Sequence, residues 1–345
     1  MKKCAFIVVA IFFLSTLIIG SANAAGPIKL RVGHDLPPFT SPGKGIDAWA
    51  KAVNKMTEGR VIVEVYPANT LTEQKGAIEV LQTGVADGYM VSLSTHRPLF
   101  PVSVVAALPG LGFPDTVEGY TAHANTLISF VEKYPAMTKE LKDFKIIFDI
   151  INSNNIILSA KKEIRVPADL KGLKMGGTGA TLELYKVLGA AGVFCIPPQT
   201  YQKLQTGVID ATAIHFLATG EFKAYEVAKY ALDISLGQSD LLFMMSRKSW
   251  DKLPAVDQKI IMEAALEGQK VTYEIGEERS TKGRQAMLES GGTIHTPTPE
   301  EAALWEKQFA VIWDRWVSAS EAAGVKNARE ILNEWRSAAK AAWGK

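Results

Sequence analysis

The 345-residue sequence is poor in cysteine, histidine and net charge, and each shortage removes a class of explanation. Of its two cysteines, Cys4 lies in the opening segment MKKCAFIVVAIFFLSTLIIGSANA. That segment has the form of a cleavable secretory leader: Lys2 and Lys3, an apolar run from Ala5 to Gly20, then Ala22-Asn23-Ala24. The apolar run is shorter than the ~20 residues a spanning helix needs, so cleavage after Ala24 and export to the periplasm are expected. Cys4 precedes the apolar run instead of following it, which argues against a lipid anchor. Cys195 is then the lone thiol; no internal disulfide can form, and the fold must rest on its core. Loss of Lys2 and Lys3 leaves 36 basic against 36 acidic residues, a balance that suits neither nucleic acid nor an anionic membrane surface. No later segment is long and apolar enough to span a bilayer.

Catalytic and cofactor signatures are also missing. The five histidines, His34, His96, His123, His215 and His295, form neither an i, i+4 pair nor H-E-x-x-H, so no metal site is expected. There is no G-x-S-x-G elbow, and Cys195 stands in the apolar VFCIPP, where an inert thiol is the rule. The loop Gly176-Gly177-Thr178-Gly179 invites a phosphate reading and fails it. A P-loop needs Lys then Ser or Thr after its second glycine, and the dinucleotide fingerprint needs Gly or Ala where this chain has Leu182. The reading is of a protein that is not an enzyme and carries no cofactor.

What is present is alternation. IKLRVGH (28–34) and VIVEVYP (61–67) read as strands. Between them a Pro/Gly-rich loop, 37–45, leads into a helix with Ile46, Trp49, Ala50 and Val53 on one face. Helix and strand continue to alternate without a polar linker, which predicts α/β architecture with largely parallel sheets and, at this length, two domains. LQTGVADG (81–88) is echoed by LQTGVIDA (204–211), with Gly84 and Gly207 placed for left-handed helix ends and Asp87 and Asp210 shared. One similar unit in each of two lobes is expected. Near the C-terminus, Thr298-Pro299-Glu300-Glu301 is a helix start with a capping box. The helix it opens carries Leu304, Trp305, Phe309, Ile312, Trp313 and Trp316, a packing stripe long enough to brace both lobes.

Taken in order, LRVGHDLPP (30–38), GRVIVEVYPANTL (59–71), the two LQTGV turns, VPADLKGLKM (166–175), LGAAGVFCIPPQTYQKLQTGVIDA (188–211) and SWDKLPAVDQKIIMEAA (249–265) resemble the extracytoplasmic solute-binding proteins of tripartite ATP-independent periplasmic (TRAP) transporters. The resemblance spans nearly all of the chain after the leader. It implies a two-lobed periplasmic-binding-protein fold with a long C-terminal helix lying across both lobes. The expected parts are a signal peptide at 1–24; lobe I from 25–149 plus about 236–280; lobe II from 150–235 plus about 281–297; and a helical region at 298–345. It further implies hinge closure over a small organic solute and delivery to small and large integral membrane subunits driven by an ion gradient, with a monomer favoured over a dimer. Trp335 and Trp343 could serve packing or an interface.

The resemblance also nominates a site: His34, Asp35, Ser92, Leu93, His96, Asn155, Met175, Gly176, Gly177, Gln199, Ile214, His215 and Phe216. In the family the strand matching GLKMGG usually reads GLKIR, and its arginine clamps the ligand carboxylate through a planar, two-bond fork. This chain has Gly176 there. Asn155 stands where a further polar or basic group is usual, and Ala213-Ile214-His215 replaces an acidic-Asn-Pro run. Two readings are open. In one, a larger, aromatic or less charged ligand fills the volume the arginine leaves, beside Ile214 and Phe216. In the other, a carboxylate is held by backbone amides of Gly177 to Ala180 at a helix start, assisted by His34, His96, Arg97 or His215. The apolar neighbours favour the first. A ligand-sensing subunit of a signalling system and an exported enzyme are the alternatives from other functional classes.

Overall fold

A computed structural model describes residues 26–150 and 153–344. The expected leader lies outside the described residues. From its start the chain forms β1 (Ile28–Gly33), α1 (Ser41–Met56), β2 (Val61–Tyr66), α2 (Ala77–Thr83), β3 (Gly88–Ser92), α3 (Val117–Lys133), α4 (Pro135–Leu141) and β4 (Phe144–Ile150). A second unit follows: β5 (Ile156–Ser159), β6 (Lys174–Gly177), α5 (Gly179–Val187), β7 (Ala191–Phe194), α6 (Thr200–Gln205), β8 (Ala211–Ile214), α7 (Phe216–Glu221) and β9 (Tyr230–Leu232). The chain returns to the first unit as β10 (Leu241–Ser246) and α8 (Arg247–Trp250). It passes along α9 (Ala255–Glu289) to β11 (Thr293–His295) of the second, then ends in α10 (Pro299–Ala322) and α11 (Ala328–Trp343).

Two sheets result, ordered β2-β1-β3-β10-β4 in lobe I and β11-β9-β5-β8-β6-β7 in lobe II. They are mixed, not largely parallel as the alternation predicts. β10 runs antiparallel to β3 and β4, and β5 runs antiparallel to β8 and β9. The reason is the crossings. A chain arriving from the other lobe enters each sheet at the edge facing that lobe, opposite to the direction of the βαβ strands beside it. Helix α1 begins at Ser41, earlier than the Pro/Gly-rich loop suggests. The Thr40 hydroxyl accepts the Gly43 N–H at 3.3 Å, and Pro42 fits a first turn that needs no N–H.

The LQTGV echo is a structural repeat. Gly84 and Gly207 both take left-handed φ, 77° and 66°. Asp87 N–H donates to the Arg31 carbonyl at 2.7 Å, and its carboxylate accepts Arg31 N–H at 2.8 Å. Asp210 makes the same pair with Lys174, at 2.8 Å each way. Each aspartate thus locks the strand after its turn to the neighbouring parallel strand.

Two helices tie the lobes together. The one expected from Thr298 is α10, whose capping box forms as read. Trp305 donates its indole N–H to the Arg165 carbonyl of lobe II at 2.8 Å, while Trp313 and Trp316 donate to Pro109 and Pro101 of lobe I at 2.9 Å each. The second tie, α9, is one continuous helix across the lobe boundary expected at about residue 280. Gly268 of α9 meets Gly45 of α1 so closely that a Cβ on either would lie within 2.9 Å of the other's carbonyl oxygen. Near the other end, Gly283 rests on Gly220 and on the Phe216 carbonyl of lobe II.

Ala at 283 would gain about 1 kcal/mol of helix propensity but drive its methyl into the Phe216 carbonyl group, whose carbon would be 2.7 Å away. Backbone cannot rotate aside as a side chain can, so Gly283→Ala should destabilise by roughly 1–3 kcal/mol net in urea unfolding. A rise in stability would show that α9 is not seated there.

Candidate solute cleft

The strand ends that face each other across the lobes follow from the crossings. β4 ends and β10 begins at the edge of lobe I from which the chain leaves for lobe II. The loops after β1 and β3 share that edge. On lobe II the facing edge holds the start of β5 and the ends of β6, β7 and β8.

The crossings pair with each other. Leu236 N–H donates to the Asn155 carbonyl at 2.7 Å, and Asn155 N–H donates to Gly237 at 3.0 Å. Asn154 is the centre of this hinge. Its side-chain amide donates to the Phe113 carbonyl at 2.6 Å and to Asp115 at 2.9 Å, while its oxygen accepts the Ser235 hydroxyl at 2.5 Å. Gln238 completes the clasp, accepting Phe113 N–H at 2.7 Å and donating back to its carbonyl at 2.9 Å. The 109–113 segment is gripped in turn from behind: Trp335 and Trp343 of α11 donate to the carbonyls of Leu111 and Gly112. Trp335 is fully buried, whereas Trp343 keeps more than half of its surface exposed.

On the lobe I edge, Gln74 gathers three nominated residues. Its amide donates to Asp35 at 3.1 Å, its side-chain oxygen accepts Ser92 N–H at 3.1 Å, and its carbonyl accepts from His96 Nε2 at 2.8 Å. The Ser92 hydroxyl donates to Asp240 at 3.2 Å, and Ser94 to the other Asp240 oxygen at 2.5 Å. Burial raises the carboxyls of Asp35 and Asp240 above their ordinary range. His34, the neighbour of Asp35, is buried and its pKa is lowered for the same reason, so it is neutral.

Lobe II presents less. His215 accepts the Ala218 N–H on Nδ1 at 3.0 Å, capping α7, which leaves the ring proton on Nε2. Burial lowers its pKa to about 4. Gln199 sits apart in the turn before α6, and Asn155 is absorbed by the hinge, its amide 3.3 Å from the Gly237 carbonyl.

The apolar nominees pack in the lobe cores. Leu93 and Met175 are fully buried in one cluster, and Ile214 and Phe216 in another with Cys195. The ring of Phe216 lies 4.2 Å from the Arg284 guanidinium carbon of α9. Gln74, Asn154 and Asp240 were missed; an acid immediately before the apolar run LLFMM was the one available signal.

A family model for bacterial extracellular solute-binding protein, family 7, matches residues 32–320. The chain belongs to this family. Within it, the C4-dicarboxylate-binding periplasmic protein DctP of Rhodobacter capsulatus is 30% identical over 310 residues, 88% of this chain and 92% of that protein. Two solved TRAP solute-binding proteins share the fold. One, from Desulfovibrio salexigens, has a TM-score of 0.81 at 24% identity, covering 93% of this chain and 98% of that one. The other, from Rhodoferax ferrireducens with copurified benzoate, has a TM-score of 0.78 at 22% identity, covering 92% and 99%.

Gly176 has a clear structural setting. A Cβ there would lie 2.7 Å from Ile209 Cδ1, 2.8 Å from Thr212 Oγ1 and 3.1 Å from Cys195 Cβ. The space that a Cβ would enter is taken by these side chains. Its carbonyl is also taken, by Tyr185 at 2.9 Å and Thr212 at 3.0 Å. Gly177 is equally closed in, facing Thr181 and Tyr185. The amide-cradle alternative is weakened at the same place, because Thr178 N–H is already bound by the Thr181 hydroxyl at 3.0 Å.

Gly176→Arg should accordingly lower the melting temperature by several degrees, the overpacking of a filled site costing roughly 1–3 kcal/mol. An unchanged melting temperature would show that the side chain finds a route into the cleft.

The hinge should respond to pH. Burial pushes Asp115 up to about 6, opposed by the hydrogen bonds from Asn154, with the charge of Asp233 adding to the rise and Arg284 countering it. The folded value exceeds the unfolded value of about 3.9, so the associated stability is full below pH 4 and is lost as pH rises through 6. Asp115→Asn keeps an acceptor for Asn154 without titrating. Its advantage over the natural protein should grow between pH 4 and 7, to at most about 3 kcal/mol. Urea melts at several pH values check this, and a pH-independent difference would contradict it.

Proposed function

We propose that this chain is a periplasmic receptor that closes its lobes over a small organic solute and delivers it, chemically unchanged, to the small and large membrane subunits of an ion-gradient-driven TRAP transporter, working as a monomer. The observation that carries the reading is the family 7 architecture itself: two sheets with facing edges joined by one paired, hydrogen-bonded hinge. A ligand that touches both edges selects the closed form, and the hinge supplies the two-state element that selection needs.

The ligand is less negatively charged than a C4-dicarboxylate. Position 176 supplies no guanidinium, and losing a buried charged partner costs a carboxylate ligand on the order of 2–5 kcal/mol. The lobe I edge meanwhile carries Asp35 and Asp240, which repel an anion. An aromatic solute is compatible with this chemistry, and the Rhodoferax relative with copurified benzoate supports the fold's capacity for one.

Protein purified from its native host, denatured and assayed by mass spectrometry, should release a single small solute that is neutral or carries at most one net negative charge. Recovery of an aliphatic dicarboxylate would overturn the ligand reading. Failure to recover any solute, or its conversion by the purified protein, would count against the receptor reading.

A further inference from the structure

The side of the lobe I sheet opposite β2 is open. β4 is its outer strand, paired with β10 alone. Along its free side runs a groove of about 390 Å³, walled by α3 and α9 and floored by β4 from Phe144 to Asp149. The two cores that the sheet separates both reach the surface here, through Ile146 on one face and Met262 on the other. The walls are apolar where they meet solvent. Ile128 of α3 is 40% exposed, and Leu266 of α9, at 69%, is the most exposed large apolar side chain among the described residues. Beyond Asp149 the walls come together, with the rings of Tyr120 and Tyr273 5.4 Å apart.

The other end of the groove is positively charged. Lys142, Lys145 and Arg247 line it, and none of them is in an ion pair among the described residues. Lys145 pairs with Met245 across the strands, and Arg247, two residues further on, donates its N–H to the Asp143 carbonyl at 2.9 Å. The two cations are therefore diagonal neighbours. The Arg247 guanidinium is pinned to backbone: Nη2 donates to the Phe144 carbonyl at 3.0 Å and Nε to that of Lys142 at 3.4 Å. Lys145 is half-buried with its ammonium 5.4 Å from the Trp250 ring centre, and burial together with the Arg247 charge lowers its pKa. Like charges held side by side and partly dehydrated repel each other, and an anion between them reverses the sign of that interaction. The acids lining the groove are Glu132 of α3 and Asp149, and Asp149 is engaged by His123 at 2.7 Å.

We propose that this groove is a second binding site, separate from the cleft, for a free amphipathic organic anion. Its apolar chain lies along β4 between Ile128 and Leu266, and its anionic head sits at Lys145 and Arg247. The volume falls within the roughly 300–1,000 Å³ of small-molecule sites, and an apolar lining with a few convergent polar groups is their usual make-up. From Lys145 to Asp149 the floor runs about 13 Å, room for a chain of medium length. A peptide strand is a poorer fit. The register of β4 slips at Ile147, between the Phe243–Phe148 and Met244–Ile146 pairs, and a bulged edge resists strand addition. The site does not depend on the receptor reading.

Isothermal titration calorimetry on the mature protein tests this with three probes: decanoate, acetate as the head group alone, and decyltrimethylammonium as the same chain with the opposite charge. Decanoate should bind at least tenfold more tightly than either of the others. Leu266→Glu and Lys145→Gln should each weaken decanoate at least tenfold. Both positions are solvent-accessible, so the variants should fold, which an unchanged melting temperature verifies. Leu288→Glu, at an exposed leucine of α9 that does not line the groove, should leave the affinity unchanged. Absence of decanoate binding, or equal binding of decyltrimethylammonium, would overturn the proposal. Unchanged affinity in both groove variants would do so too, by placing the anion in the cleft. So would a concentration-dependent dimer, or binding to phosphatidylglycerol vesicles, that Leu266→Glu abolishes, since the groove would then belong to a second copy or to a membrane surface.

Discussion

The molecule depends on how one asparagine is held. Asn154 stands where the chain first leaves lobe I, and its amide joins Phe113, Asp115 and Ser235, which belong to a loop of one lobe and to the returning crossing. Without these bonds the two crossings would be independent tethers, and the lobes could take many relative positions. With them, the crossings form one narrow strip, and motion about it reduces to opening and closing. The C-terminal helices matter for the same reason. Their tryptophans do not reach the cleft; they fix the backbone carbonyls of 101–112, the platform on which Asn154 is seated. An aromatic stripe that packs at a distance from the ligand thereby controls the accuracy of the hinge.

The chemistry of the cleft edge follows from strand order. Asp35, Ser92 and Asp240 are far apart in sequence, but β1, β3 and β10 are neighbours in the sheet, so their ends converge. Gln74, delivered by the loop after β2, crosslinks them with amide bonds and adds no charge. The opposing edge offers the neutral donor His215 and a glycine-lined strand end. The asymmetry is electrostatic: one edge carries Asp35 and Asp240, while position 176 on the other carries no side chain.

What the sequence revealed and what it hid divide along contact range. The LQTGV turns, the Thr298 capping box and the buried face of α1 were legible because each is settled within a few residues by φ angles, caps and helical period. The two-lobe organisation was legible through the repeat. Asn154 and Gln74 were not, since their roles exist only after the crossings and the loop after β2 have been placed. For Phe216 and Ile214 the sequence is ambiguous because apolar side chains suit a ligand wall and a core equally well; both pack in the lobe II cluster, Phe216 against Arg284 of α9. Gly176 is the instructive intermediate. The resemblance singled out this position, but the direction a Cβ would take there, into Ile209 and Cys195, depends on strand neighbours that no local pattern encodes.

Helix α9 belongs to both lobes. At about 1.5 Å per residue its 35 residues extend roughly 52 Å. It is seated at Gly45 in one lobe and at Gly220 in the other, backbone against backbone, with no side chains there to act as rollers. The two seats, Gly268 and Gly283, are 15 residues apart, roughly 22 Å of helix, so any approach of the lobes falls on that span. The span between the seats is thus the part of the helix that both lobes share, and its straightness sets how far apart the two seats are held.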